Sequence, residues 1–240
     1  MTTANASTDN PFLNHVLQAV QRPASPAAVE AAYLEHLAIV NASQRWDFDG
    51  LTLLTPPRVY PPGPGSSSRL LIESFAALEL DRPKPGQRLL DVGCGSGVIA
   101  LAAAKAGWQV CAGDIQAQCV ESARINAQLN GIVLDVRHSD LMDGFQGETF
   151  DVIVFNQPFY HPAYALTDDC VLANPGGSLH VRFLREARKF LRPGGRVVFG
   201  FANCSDHRLL EQPGWNIALK VLRFEGNLNY LSGFFVGYPR

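Results

Sequence analysis

The chain has no surplus of basic charge: 20 lysines and arginines stand against 22 aspartates and glutamates, a formal net charge of −2. There is thus no basic surplus to hold a phosphate backbone, and no stable nucleic-acid partner is expected, which leaves brief contact with RNA or protein open. No apolar run approaches the roughly 18 residues that span a bilayer; Lys105 interrupts the longest candidate. The opening Met1-Thr-Thr-Ala-Asn-Ala-Ser-Thr8 has neither a basic start nor an apolar core, so it does not read as a secretory leader. The five cysteines (Cys94, Cys111, Cys119, Cys170 and Cys204) form no CxxC pair. They read as free thiols of a cytoplasmic protein. The six histidines show no zinc-ligand spacing, and no metal site is expected. No internal repeat is visible.

What is present is a chain of 240 residues, 47% hydrophobic, enough for one α/β domain and a small appendage. Residues 1–45 read as a helical region or lid. Asn10-Pro11 and Ser25-Pro26 are helix-start signals, each followed by apolar residues at helical spacing up to about Asn41. Residues 46–80 are a Pro/Gly-rich connecting segment, with a helix predicted over about 69–80. Serines 66–68 are its start signal.

Residues 81–240 read as the main domain, and from residue 87 the pattern becomes regular. Strands are predicted at 88–92, 109–113, 133–137, 150–155 and 196–201. Helices are predicted at 97–106, 117–130 and 178–191, the last stopped by Pro193-Gly-Gly195. Two further β-rich runs, 217–224 and 230–237, are joined by the short turn Glu225-Gly-Asn227, which suits an antiparallel hairpin. The alternation implies an α/β fold with a doubly wound, seven-stranded, mostly parallel sheet and a C-terminal antiparallel hairpin.

Within this frame Leu89-Leu-Asp-Val-Gly-Cys-Gly-Ser-Gly97 reads as a buried strand, a glycine turn and a helix start. Such a turn lets a ligand approach the backbone closely and aims free N–H groups at it. Ligands in doubly wound sheets sit beyond the carboxyl ends of the strands. Asp91, Asp114, Asp140 and Asn156 all fall at such ends. Each alone could cap a turn or helix; together they predict one cleft. Asp114 lies about 20 residues past the turn, where dinucleotide sites place a ribose-binding carboxylate. The glycine spacing, however, is Gly93-x-Gly95-x-Gly97, not the Gly-x-Gly-x-x-Gly of nicotinamide sites, and hydride transfer is disfavoured.

Asp91-Val-Gly-Cys-Gly-Ser-Gly97 resembles the cofactor motif of class I S-adenosylmethionine-dependent methyltransferases. The resemblance continues through Asp114, Asp140, Phe150-Asp-Val-Ile153 and Leu191-Arg-Pro-Gly-Gly195. It implies a Rossmann-like fold with S-adenosylmethionine as cofactor. Gly93 and Gly95 would accommodate its methionine part, with Asp91 near the ammonium. Asp114 would take the ribose hydroxyls and Asp140 the adenine amine, with Ile115 and Leu141 sandwiching the ring.

Asn156-Gln-Pro-Phe159 resembles the Asn-Pro-Pro-Tyr/Phe motif of methyltransferases that act on nitrogen in planar groups, with Gln157 replacing a proline. In that branch the asparagine side chain and the next backbone carbonyl accept the acceptor's N–H groups, and the aromatic residue stacks on it. Asn156, Gln157, Pro158 and Phe159 are thus the candidate catalytic residues. The Gln157 side chain is expected at the mouth of the site. Tyr160 and His161 are candidate substrate contacts or packing residues. Val59-Tyr-Pro-Pro62 resembles a loop of the HemK/PrmC-like branch, which methylates protein glutamine. Tyr60 would cover the cofactor, and a serine at the next helix start would lie near its carboxylate.

The expected activity is methyl transfer to a nitrogen of a protein glutamine or a small metabolite. Intramolecular cyclisation of S-adenosylmethionine, releasing methylthioadenosine, and a non-enzymatic binding module stay open beside it, as do monomer and homodimer.

Overall fold

The computed structural model describes residues 27, 34, 37–158, 178–202, 210–224 and 231–240. The predicted N-terminal helices fall almost wholly outside these residues, as do Phe159, Tyr160, His161 and the turn at 225–227.

Residues 27, 34 and 37–40 are helical, and the strands and α-helices that lie wholly within the described residues are β1 (Gln44–Phe48), β2 (Leu51–Thr55), α1 (Ser67–Glu73), β3 (Arg88–Val92), α2 (Val98–Ala106), β4 (Gln109–Asp114), α3 (Ala117–Leu129), β5 (Asp135–His138), β6 (Phe150–Phe155), α4 (Ser178–Ala187), β7 (Leu191–Ala202), β8 (Trp215–Phe224) and β9 (Leu231–Pro239). Seven strands form one sheet in the order β5-β4-β3-β6-β7-β9-β8. The first five pair in parallel, and β9 pairs antiparallel with both β7 and β8. This is the doubly wound sheet with a terminal hairpin that the alternation predicts.

The central strands are apolar on both faces because helices cover both. The pleat deals their side chains alternately to two cores. Leu89, Val152, Val154 and Val198 join the core under α1 and α2. Leu90, Ile153, Phe155, Val197 and Phe199 join the core under α4. By this alternation Asp91 falls on the α2 face, where it is fully buried.

Several boundaries differ from expectation; α4, predicted to reach residue 191, stops at Ala187. α1 stops at Glu73. Buried Phe75, Leu78 and Leu80 follow in irregular turns, closed by a bond from Leu80 N to Phe75 O around Glu79 at φ 55°. Apolar spacing alone does not distinguish such turns from a helix. β5 starts at Asp135, with Val133 left 97% exposed, because the ladder to β4 opens at Cys111↔Asp135. β7 begins at Leu191, opposite Phe150, and its ladder resumes at Arg196 opposite Val152. Pro193-Gly-Gly195 is therefore an irregularity inside a strand, not a loop before one.

The β1–β2 hairpin (antiparallel, Gln44↔Thr55 to Phe48↔Leu51) stands apart from the main sheet. Asn126 of α3 and Asn130, which caps its C-terminus, lie one helical turn apart and bind the β2 edge. Asn126 Oδ1 accepts from Leu54 N at 2.8 Å, and its Nδ2 donates to Leu54 O at 3.1 Å and Ser96 O at 2.9 Å. Asn130 does the same for Thr52, at 2.9 and 2.8 Å. The side-chain amides thus pair with an edge that would otherwise be open. Asn126→Ala should lower stability by about 2 kcal/mol, because it strands buried backbone groups. Asn130→Ala, at a half-buried position, should cost less. Denaturant midpoints of the two variants check the order.

Candidate functional site

The turn after β3 is left-handed at all three glycines: φ is 63° at Gly93, 54° at Gly95 and 79° at Gly97. Only glycine takes such a conformation without strain. At Gly93 a Cβ would also come within 2.9 Å of the Phe155 ring, whereas at Gly95 it would meet nothing within 4 Å. Gly95 is thus where the turn faces open space.

Two carboxylates bind this turn from within. Asp114 Oδ2 accepts from Gly95 N and its Oδ1 from Gln116 N, each at 2.9 Å. Asp91 Oδ2 accepts from Ala100 N at 3.1 Å, in the first turn of α2. The group at this helix start is therefore the Asp91 carboxyl itself, which takes one of the N–H groups expected to face a ligand. Its Oδ1 is buried and has no partner. Loss of water raises the Asp91 pKa to about 8, against the bond from Ala100 N and with a further push from the nearby Asp114 carboxylate. Burial also raises the pKa of Asp114, although the bonds from Gln116 N and Gly95 N oppose it. A buried carboxylate with one vacant oxygen and a raised pKa suits a cationic partner, which would restore its charge.

At the end of β5, Ser139 N donates to Asp114 O at 2.9 Å, bringing the two strand ends together. Asp140 is paired bidentately with Arg182 of α4, at 3.0 Å for the Nη1–Oδ2 arm. Ile115 is 52% exposed, whereas Leu141 is 5% exposed at φ 49°. An apolar side chain is thus offered beside each acid.

After β6 the pleat separates two neighbours. Asn156 turns to the α1 face, where its Nδ2 donates to Ser67 Oγ and Ser68 Oγ, each at 3.0 Å. Its Oδ1 is buried without a partner. Gln157 turns to the α4 face and is buried at 2% exposure. Its Nε2 donates to Gly200 O at 3.0 Å and lies 2.8 Å from His180 Nδ1. The expectation that Gln157 stands at the mouth of the site is corrected. Strand alternation carries it inward, and a buried amide requires partners there. Pro158 is half-buried behind it.

The segment carrying Tyr60 is packed rather than loose. Val59 and Pro61-Pro62-Gly63 are buried, Tyr60 is half-buried, and a Cβ at Gly63 would meet Trp46 at 2.9 Å. Ser66 caps α1 by accepting from Arg69 N at 3.2 Å. Ser67 and Ser68 turn to Asn156; each hydroxyl, having accepted, can still donate to a carboxylate.

Sequence reading missed His180, Gly200, Arg182 and the Asn156 contact of Ser67 and Ser68. Only the serine run carried a signal, and helix capping explained it. Among the described residues no helix is long and apolar enough to cross a membrane, and no three acidic, cysteine or histidine residues converge as a metal site.

A family model described as methyltransferase small domain matches residues 51–209. The chain belongs to this family. Membership makes S-adenosylmethionine its cofactor. A ribosomal RNA small subunit methyltransferase C of Chromohalobacter salexigens is 34% identical over 155 residues, covering 64% of this chain and 43% of that protein. A putative protein N5-glutamine methyltransferase of Methanocaldococcus jannaschii is 30% identical over 158 residues, covering 63% of this chain and 76% of that one. The chain thus spans less than half the length of the first of these relatives. The solved 16S rRNA N2 G1207 methyltransferase of T. thermophilus, in complex with AdoMet and guanosine, superposes with a TM-score of 0.62. That likeness covers 83% of this chain and 50% of the other at 20% identity, so it concerns the fold. It matches the expected class I architecture. The rRNA enzyme among the relatives counts against excluding nucleic acid as a partner.

The raised Asp91 pKa has a consequence for stability. The folded protein keeps a proton there that the unfolded chain loses near the ordinary carboxylate value, so stability falls as pH rises between the two values. Below the unfolded value and above about 8 the Asp91 contribution is flat. Asp91→Asn removes the dependence. The melting-temperature difference between variant and wild type should move in the variant's favour from about pH 5 to about pH 8; a constant difference would refute the shift.

Proposed function

We propose that the chain transfers the methyl group of S-adenosylmethionine to a nitrogen of a planar amide or exocyclic amine, held at Asn156-Gln157-Pro158-Phe159. The observation that carries this is the state of the Asn156 amide. Both Nδ2 hydrogens are committed to Ser67 and Ser68, so its orientation is fixed and Oδ1 is left buried without a partner. A lone buried acceptor suits an incoming N–H. The Gln157 backbone carbonyl would accept the second, and Phe159 would stack on the planar group.

The residues of the glycine turn fit the cofactor. The vacant Asp91 Oδ1 would take its ammonium, and Gly95 leaves room for the methionine chain. Asp114 accepts two backbone bonds and one from the Cys119 thiol, and still has lone-pair capacity for a ribose hydroxyl. Ile115 and Leu141 would flank adenine, whose amine would share Asp140 with Arg182 or displace it. Tyr60 would close over the site from the packed segment before α1.

When bound, the cofactor supplies a methyl group on an electron-poor sulfonium. The chain's own residues then act by placement. An acceptor gripped through its N–H groups by Asn156 Oδ1 and the Gln157 carbonyl has its electron pair aimed at that methyl, and no strong base is required. Placement of this kind is worth several kcal/mol of barrier, roughly 7–11 in the best intramolecular cases. Protein glutamine and a nucleobase amine present the same planar nitrogen, and the names of the two relatives cover both kinds. A small metabolite with an amide offers it too.

Incubation with S-adenosylmethionine, alone and with cell extract, separates the readings by the sulfur product seen in mass spectrometry. S-adenosylhomocysteine formed only with extract is expected; methylthioadenosine formed without any acceptor would overturn the proposal in favour of cyclisation. Asp114→Ala should weaken cofactor binding by about tenfold or more, in line with loss of a charged hydrogen-bond partner. Asn156→Ala should cut turnover by about a hundredfold and spare cofactor affinity, as loss of placement does. Calorimetry and steady-state rates read the two effects separately.

A further inference from the structure

The glutamine that replaces a proline is built into the interior with partners for its side chain. Gln157 Nε2 has two hydrogens and two acceptors, Gly200 O at 3.0 Å and His180 Nδ1 at 2.8 Å. The carbonyl of Gly200 fixes which way the amide points, since the reverse setting would face oxygen to oxygen. His180 Nδ1 then faces Nε2 at 2.8 Å and Oε1 at 3.2 Å, and the shorter contact favours Nδ1 as acceptor with the ring proton on Nε2. His180 is fully buried on α4 and packs edge-on to Phe199, with ring centroids 4.9 Å apart. A buried amide hydrogen left without a partner is destabilising. The end of β6, helix α4 and strand β7 are therefore joined at one polar point within an aromatic core.

Gly200 serves the neighbouring residue as well. Its carbonyl receives Gln157, and a Cβ placed on it would stand 3.0 Å from Asn156 Oδ1. The two residues that would grip the acceptor nitrogen are thus referenced to the same residue of β7. A proline at 157 would fix its own φ by its ring. Glutamine lacks that restraint, and here the far end of its side chain is tied down instead.

We propose that His180 is a positioning residue for methyl transfer: by accepting from the Gln157 amide, it sets the Asn156–Gln157 backbone in the shape that grips the acceptor nitrogen. This rests on the nitrogen-transfer reading above. The clamp does what proline's ring does in the resembled motif, so it should be dispensable when that ring is restored.

The test is a set of three variants with two readouts, kcat and cofactor affinity. His180→Phe keeps the aromatic volume but removes the acceptor. Its kcat should fall by about a hundredfold, as for a misplacement on the order of an ångström, while S-adenosylmethionine affinity by calorimetry is unchanged. His180→Asn, whose Oδ1 can stand near the place of Nδ1, should keep more turnover. His180→Phe combined with Gln157→Pro should recover most of the lost kcat. In wild type the nitrogen-15 shift of His180 Nδ1 should be that of an unprotonated ring nitrogen. Turnover in His180→Phe equal to wild type would overturn the proposal. So would a joint loss of kcat, cofactor affinity and melting temperature that proline does not rescue, which marks a merely structural histidine. A protonated Nδ1 would overturn it too. Wild type that yields no S-adenosylhomocysteine with any amide or amine would instead sink the nitrogen-transfer reading, and the positioning role with it.

Discussion

The glycine turn keeps its shape because two buried carboxylates bind its backbone. Asp114 grips Gly95 N from the end of β4, and Asp91 grips Ala100 N from within β3. One fixes the crest of the turn and the other the start of α2. Neither carboxylate is neutralised by a cationic side chain among the described contacts. Both are therefore costly to ionise in the dry interior, and their pKa values rise. The arrangement favours a cationic ligand that brings the missing charge. Sheet order matters because it brings β3 and β4 side by side, so that both acids reach one turn.

A second constraint lies one strand away. At the end of β6 the pleat divides Asn156 from Gln157, sending one amide to α1 and the other to α4. Each amide is fixed by the helix it meets: two serine hydroxyls on one side, a histidine ring nitrogen on the other. The backbone between them is thus tied to both layers of the fold. Backbone tied in this way is held without a proline at its centre.

Much of this was legible in the sequence. Gly93, Gly95, Asp91 and Asp114 could be read because a strand-turn-helix junction with acids at strand ends leaves a fixed spacing. The sheet could be read from alternating periods, and its terminal hairpin from a missing helix. Gln157 was misplaced because sequence shows a polar residue but not the face to which a pleat assigns it. His180 gave no signal: a single histidine in an amphipathic helix reads like any other half-polar position. The partner of Asp140 was equally hidden, since Arg182 lies 42 residues away. Asn130 reads in the sequence as the end of a helix and Asn126 carries no signal, and only tertiary contact shows what they bind.

Those two asparagines bear on how freely the hairpin can change. They recognise β2 through the N–H and C=O of Thr52 and Leu54, groups that every residue except proline carries. Burial is left to Leu51 and Leu53 on the other face. The docking is therefore blind to the side chains at 52 and 54. Those positions can vary widely in composition while the hairpin stays in place, so this edge of the molecule is open to new surface chemistry without refolding.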